Sequence, residues 1–443
     1  MSALATPPGP RERIPGTTVV SFYRDPLGAL TRMAAEHGDV TRFRWGPQYE
    51  YLLNHPDLVE QVLVAQQRSF MKGQALQETK RILGEGLLTS EGDFHLRQRR
   101  LVQPLFHRRQ ISGYADEMVS CAERLQAGWS HGETRDVHAE MTRLTLDVVG
   151  RVLFAADVGG EAAEIGAAMT EAMESLQRFM LPFYGALERL PLPGPRRVRG
   201  ARRRLDLTIY RLLAERRASP GGGDLLSLLL EARDEQGEPM PDTQVRDEAM
   251  TIFLAGHETT AVTLTWTWLL LGRHPAVERR LHEELETVLG GGAPTADDLS
   301  ALVYLDLVLK ESMRLYPPAW LIGRRALVDV ELGGYELPRG SIVLLSPWVT
   351  HRDARFFDDP HRFDPERWRP EAEEARPRFS YFPFGGGIRR CIGEPFALME
   401  AKLLLASIAQ RWRLHLDPAQ RVEPLPRITL RPRYGMKMRL EAR

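Results

Sequence analysis

One stretch constrains this chain more than any other: Phe384-Gly-Gly-Gly-Ile-Arg-Arg-Cys391-Ile-Gly393, which runs directly into the apolar segment Phe396 to Ile408. Gly385, Gly386 and Gly387 let the backbone come close to a flat ligand. Cys391 stands at the mouth of a helix beside Arg389 and Arg390, where the helix terminus and two cations favour a thiolate. A thiolate there is a ready metal ligand. Taken alone, the loop reads equally well as a phosphate nest, and the cysteine as a small buried hydrophobe.

The rest of the chain narrows the choice. It has 443 residues, 43% hydrophobic and 27% charged, which excludes disordered, collagenous and coiled-coil classes. Lys+Arg and Asp+Glu balance at 59 each, so no global field draws nucleic acid or an anionic membrane. The 2 cysteines, Cys121 and Cys391, are too few for a disulfide framework, and with no secretory signal they place the protein in a reducing cytoplasm. No apolar run reaches the ~18 residues of a membrane span.

Residues 1–15, with Pro7, Pro8 and Pro10, read as an extended or disordered lead-in. From Pro26 to Arg217 long amphipathic helices dominate, interrupted by a strand-like stretch at Val40 to Leu53. Phe179 to Pro195 reads as an apolar loop between helices. Helices resume from Asp224 to Leu289, with an apolar run at Met250 to Leu271. Val328 to Leu345 reads as strand, turn and strand. Neither a repeat nor a dividing linker is present, so one domain is expected over 1–443.

Phe384, Gly387, Arg389, Cys391 and Gly393 fit F-x-x-G-x-R-x-C-x-G, and this loop resembles the heme-binding loop of the cytochrome P-450 family. Three more motifs follow that family's order. Glu311-Ser-Met-Arg314 resembles its E-x-x-R pair. Pro365-Glu-Arg-Trp368 resembles the segment whose arginine, here Arg367, joins that ion network. Ala255-Gly-His-Glu-Thr-Thr260 resembles its oxygen-activation motif. The resemblance runs from about Pro26 to Arg439.

Each motif also has a physical reading. Glu311 and Arg314 share a helix face with Leu307, and burial there tolerates neither charge without the other. They are expected to be structural. Gly256, inside an apolar helix, costs about 1 kcal/mol relative to Ala and asks for a reason; with Ala255 it gives room for a diatomic ligand. Glu258 and Thr259 form a pair able to pass protons, whereas the plain alternative has Thr259 and Thr260 bonding back to helix carbonyls. His257-Glu258 begins a zinc-protease pattern that Ala261 breaks. His351-Arg-Asp353 imitates a kinase loop but lacks its asparagine.

The resemblance implies a mainly α fold with small sheets and heme b between the central helix and the Cys391 helix. It implies Cys391 as the iron ligand, Phe384, Gly385 and Gly393 in the heme loop, and His95, Arg99, Arg324 and Arg389 on the propionates, with Arg325 competing for the place of Arg324. Thr251, Leu254, Ala255, Ala319, Leu321 and Thr429 are expected on an apolar substrate wall, with parts of Met71 to Leu88 and Phe179 to Tyr184. Ala255, Gly256, Glu258 and Thr259 are expected to handle O2 and its protons. The implied activity is hydroxylation or epoxidation of a terpenoid, carotenoid or fatty acyl compound in secondary metabolism by a monomeric enzyme. With no reductase segment fused, NAD(P)H electrons would arrive through a ferredoxin or flavodoxin and its reductase, on a patch of Arg97, Arg100, Arg108, Arg109 and Arg390. A peroxide-driven enzyme of the same fold and a non-catalytic heme sensor or carrier are the rivals.

Overall fold

A computed structural model describes residues 6–12, 14–154, 193–219, 221 and 223–443. They fall into two compact units, Met1–Glu78 with Met313–Cys391, and Thr79–Ser312 with Ile392–Arg443.

The first unit is built on a five-stranded sheet whose strands, in spatial order, are Val40–Trp45, Gln48–Leu53, Ile342–Leu345, Ile322–Ala326 and Phe70–Lys72. The Val40 to Leu53 stretch is an antiparallel hairpin, pairing Val40 with Leu53 and Trp45 with Gln48 across a turn at Gly46. The second and third strands run parallel, and the remaining pairs antiparallel. Leu53, Val343, Leu345, Phe70 and Ala326 bury one continuous core with Leu63, Phe379 and Phe382. The expected strand, turn and strand at Val328 to Leu345 divides between two sheets. Val330–Leu332 and Tyr335–Leu337 close a hairpin on Gly333 and Gly334, both at positive φ, while Ile342–Leu345 enters the larger sheet.

Within the lead-in, Pro8 and Glu12 make hydrogen bonds to neighbouring segments. The Pro8 carbonyl accepts the Arg42 N–H at 2.8 Å, and the Glu12 carboxylate accepts the N–H groups of Gly16 and Thr18 at 3.0 and 2.8 Å. A proline run cannot enter a helix, yet its carbonyls can still pair along a strand.

The second unit is organised by the Asp242–Arg273 helix, 32 residues long and buried on nearly every side. A helix apolar all round belongs in a core, and this one packs chiefly against the Val137–Phe154 helix. The Thr145 hydroxyl donates to the His257 carbonyl at 2.8 Å across that contact. A three-stranded sheet, Thr134–Asp136, Lys437–Ala442 and Trp412–Leu416, and a hairpin of Pro424–Pro426 with Leu430–Pro432 complete the unit. Trp266 anchors the hairpin by donating from Nε1 to the Leu430 carbonyl at 2.7 Å. Among the described residues no helix is long and apolar enough to cross a membrane.

Candidate active site

In the first unit the cysteine loop is held by its own backbone. Cys391 N–H donates to the Phe384 carbonyl at 2.9 Å, Gly385 N–H to that of Phe382 at 3.0 Å, and Ile388 N–H to Gln67 Oε1 at 2.8 Å. The glycines divide their work differently from the sequence expectation. A Cβ on Gly386 would stand 2.6 Å from the Phe379 ring, and one on Gly387, whose φ is +63°, 1.8 Å from the Leu63 carbonyl. Those two are required by protein contacts. Gly385, at φ +71° with open space where a Cβ would lie, is the one that leaves room for a ligand. The Cys391 thiol is exposed, Arg389 half-buried and Arg390 exposed, whereas Cys121 is buried with its thiol pKa pushed far up by desolvation.

Arg324 lies on the buried side of its strand and Arg325 on the exposed side, which favours Arg324 of the two competitors. Ala319 and Leu321 are half-buried.

Arg314 is wholly buried. Its guanidinium donates to the carbonyls of His351 at 2.8 Å, Pro360 at 2.7 Å and Arg362 at 3.1 Å. Arg367 reaches the same loop, donating to the Asp358 carbonyl and, at 2.9 Å, to that of Asp359. The two arginines thus gather one irregular segment that has no ladder of its own to satisfy its carbonyls. Glu311, one turn before Arg314 on the Val303–Leu315 helix, is equally buried. The imitated kinase histidine, His351, is a core residue whose Nε2 accepts the Phe382 N–H at 3.0 Å.

In the second unit the central helix opens along one stripe only. Ala255 is exposed and Ile252, Gly256 and Thr259 are half-buried, while every residue from Thr260 to Leu271 is buried. Spacings of three and four place these residues on one face. Gly256 has a further reason beyond ligand room: a Cβ there would come within 3.1 Å of a Val149 methyl, so the glycine lets the neighbouring helix approach. The threonines adopt the plain geometry, with Thr259 Oγ1 donating to the Ala255 carbonyl at 2.7 Å and Thr260 Oγ1 to that of Gly256 at 3.3 Å. Thr251 and Leu254 are buried.

Glu258 is buried, and Arg431 Nε donates to it at 2.7 Å. Burial alone would raise its pKa, but the Arg431 bond and charge outweigh that and hold it below the usual carboxylate range. Thr429, expected on the substrate wall, is buried instead and donates its hydroxyl to Glu258. His257 is a core histidine, its Nδ1 2.8 Å from the Phe253 carbonyl.

Sequence reasoning missed Glu400. It lies fully buried on the Glu394–Ala409 helix, and burial pushes its pKa to about 8, opposed only by the Thr260 hydroxyl. A lone carboxylate inside the run LMEAKLLLASIA was the available signal.

On the Gly92–Val102 helix, His95 is buried and Arg99 half-buried, four residues apart on one face, with Ser90 Oγ 3.4 Å from His95 Nδ1. Two members of the expected docking patch are already paired, Arg97 to Asp234 and Arg100 to Glu235 at 2.6 Å. Arg108 and Arg109 are exposed. Of the expected wall, residues 179–184 lie outside the described residues.

These residues fit heme. Cys391 offers an accessible soft ligand, Gly385 leaves clearance beside it, and the Ala255 to Thr259 stripe is an uncovered face in an otherwise buried helix.

The cytochrome P-450 family profile matches residues 7–438. Cyclooctatin synthase of Streptomyces melanosporofaciens is 44% identical over 92% of this chain and 89% of its own length. Pentalenene oxygenase of Streptomyces avermitilis is 39% identical over 95% and 94%, and cyclooctat-9-en-7-ol 5-monooxygenase of S. melanosporofaciens 39% over 90% and 87%. A crystal structure of the cytochrome P450DA heme domain superposes with a TM-score of 0.91 at 29% identity, covering 100% of this chain and 98% of that one. With nearly its whole length matched in sequence and in fold, the chain belongs to the cytochrome P-450 family and is a heme-thiolate monooxygenase.

Proposed function

We propose that the enzyme oxidises a cyclic terpenoid, using electrons from NAD(P)H passed through a separate ferredoxin or flavodoxin. The observation that carries this reading is the set of relatives named for cyclooctatin, pentalenene and cyclooctat-9-en-7-ol, each matching nine-tenths or more of the chain at 39–44% identity. The uncharged stripe Ile252, Ala255, Gly256 suits such a substrate, because it offers apolar contact and a single hydroxyl, Thr259.

Heme bound through the Cys391 thiolate would supply the reduction of O2 and transfer of one oxygen atom to the substrate. His95, Arg99, Arg324 and Arg389 would hold its propionates as charge-assisted donors. The chain's own part is positioning and proton supply. Thr259 Oγ1, which donates to the Ala255 carbonyl, would supply the one hydroxyl proton on that stripe. Glu258, kept anionic by Arg431, returns protons from the Arg431 side of the unit. Glu400, neutral at pH 7, stores a proton on the Thr260 side.

The test has two arms. Spectral titration with pentalenene and larger cyclic diterpenes, against a carotenoid and a fatty acid, is expected to give a substrate-induced shift with a cyclic terpenoid alone. Response to the fatty acid only would overturn the substrate class. Cys391→Ser should abolish the red-shifted carbon monoxide band of the reduced protein, which Cys121→Ser leaves intact. Turnover with hydrogen peroxide but not with redoxin, reductase and NADPH would favour the peroxide-driven rival.

A further inference from the structure

Residues 82–89 are tied to the first turns of the central helix by hydrogen bonds that oxygen chemistry does not use. Asp247 Oδ2 accepts the Glu85 N–H at 2.7 Å, and Glu248 Oε2 accepts that of Leu87 at 2.9 Å. Gln244 Nε2 donates to the Glu85 carbonyl at 3.1 Å and to Glu248 Oε1 at 2.8 Å. Arg246, itself buried, joins in: Nη2 donates to the Ile82 carbonyl at 2.9 Å, Nη1 to Asp247 Oδ1 at 2.8 Å, and Nε to Asp206 at 2.8 Å.

The approach is close. A Cβ on Gly86 would lie 2.2 Å from Thr251 Oγ1 and 2.5 Å from the Asp247 carbonyl, and Gly84, at φ +72°, would meet the Asp247 carboxylate at 2.1 Å. Glu248 has no exposure at all. Burying a carboxylate is costly unless it is well bonded, and here the bonds are spent on the backbone of a short glycine-containing segment. Glu248, Ile252 and Ala255 follow at helical spacing, so the segment is fastened about 10 Å along the axis from Ala255.

We propose that Asp247 and Glu248 are positioning residues for the reaction: as a carboxylate clamp on the N–H groups of Glu85 and Leu87, they fix the segment Gly84–Leu88 beside the substrate stripe and so set the size of molecule admitted there. This rests on reading the Ile252 to Thr259 face as the substrate wall. Backbone N–H groups that donate to a carboxylate, as Glu85 does to Asp247, make short and strong hydrogen bonds, which hold a segment with the accuracy that a wall requires. The geometry makes two kinds of variant converge. Removing the acceptors frees the segment, and adding a methyl at Gly86 pushes it off Thr251 with the acceptors intact.

The experiment uses full-length holoprotein of wild type, Asp247→Ala, Glu248→Leu and Gly86→Ala. Heme content and the carbon monoxide band come first, because they report the heme site apart from the clamp. Amide exchange at Glu85 and Leu87 is then followed, with spectral titration by two azoles that ligate iron, small imidazole and bulky clotrimazole. Expected are a normal carbon monoxide band, exchange at those two amides faster by about tenfold or more in the two carboxylate variants, and clotrimazole affinity changed severalfold in all three variants while imidazole affinity stays within twofold. Unchanged amide exchange in Asp247→Ala would overturn the clamp. Faster exchange with the clotrimazole to imidazole ratio unchanged would overturn its role in admission. If Glu248→Leu yields no holoprotein, Asp247→Ala and Gly86→Ala carry the same two outcomes. Absence of any azole response in wild type would instead count against the substrate-wall reading itself.

Discussion

Glu258 and Glu400 flank the Thr259-Thr260 pair from different elements of the same unit, and both are buried. One is kept anionic and the other neutral. Glu258 has Arg431 and Thr429, and its pKa falls; Glu400 has only the Thr260 hydroxyl to oppose its burial, and its pKa rises to about 8. Burial alone does not decide the charge of a carboxyl, and its partner does. The two also load stability with pH in opposite directions. The folded pKa of Glu258 is below the usual 4.5, so its contribution is present above that value and is lost as pH falls through the folded pKa. For Glu400 the folded pKa is above it, so its contribution is complete below 4.5 and is lost as pH rises toward about 8.

The most direct way to break the contrast is Arg431→Met, which strands Glu258 as an uncompensated buried charge. We expect destabilisation of about 3–5 kcal/mol by denaturant unfolding at pH 7, with Glu258 then behaving as Glu400 does. A melting temperature within a degree of wild type would dissolve the distinction. Thr259→Ala asks which carboxyl serves the oxygen site. Heme and substrate binding should be retained while product formed per NADPH drops by up to about a hundredfold and hydrogen peroxide rises, the low end for loss of a proton-transfer group. Equal coupling would mean that protons arrive without this hydroxyl. Glu400→Gln sharpens the neutral side of the comparison. Between pH 5 and 8 wild type should lose stability with a slope of up to ~1.4 kcal/mol per pH unit from this group, and the amide variant should lack that slope. A parallel pH profile for the two proteins would show that Glu400 ionises freely. Thr429→Val is the mildest probe. It should cost about 1 kcal/mol while leaving Glu258 paired with Arg431.

What the sequence revealed of this site follows from the range of the contacts involved. Cys391 with its glycines is a local pattern within ten residues, and Glu311 and Arg314 are legible as a spaced pair one turn apart, although the carbonyls that Arg314 gathers lie 37 to 48 residues further on. The reason for Gly256 was only half legible, because the Val149 methyl that fills its space comes from another helix. The bond of Thr429 to Glu258 was not legible, since nothing short-range couples two residues 171 apart in the chain. Arg97 and Arg100 read as free cations for a redox partner until Asp234 and Glu235 are found opposite them. The helix-dominated second unit was anticipated from periodicity. Strand Phe70–Lys72 was not, because three residues carry too little alternation to register.

The proline segment at the start of the chain has a consequence for handling the protein. Val40–Trp45 is an outer strand of the five-stranded sheet, and Pro8 occupies part of its open side by accepting the Arg42 N–H. Exposed outer strands template further strands and seed aggregates, and proline, having no N–H, ends such growth. Pro7, Pro8 and Pro10 therefore act as a stopper against self-association. Shortening the protein past Gly9, where a Cβ would meet the Arg42 carbonyl at 1.7 Å, would leave the heme loop untouched and still make the protein prone to precipitate during folding.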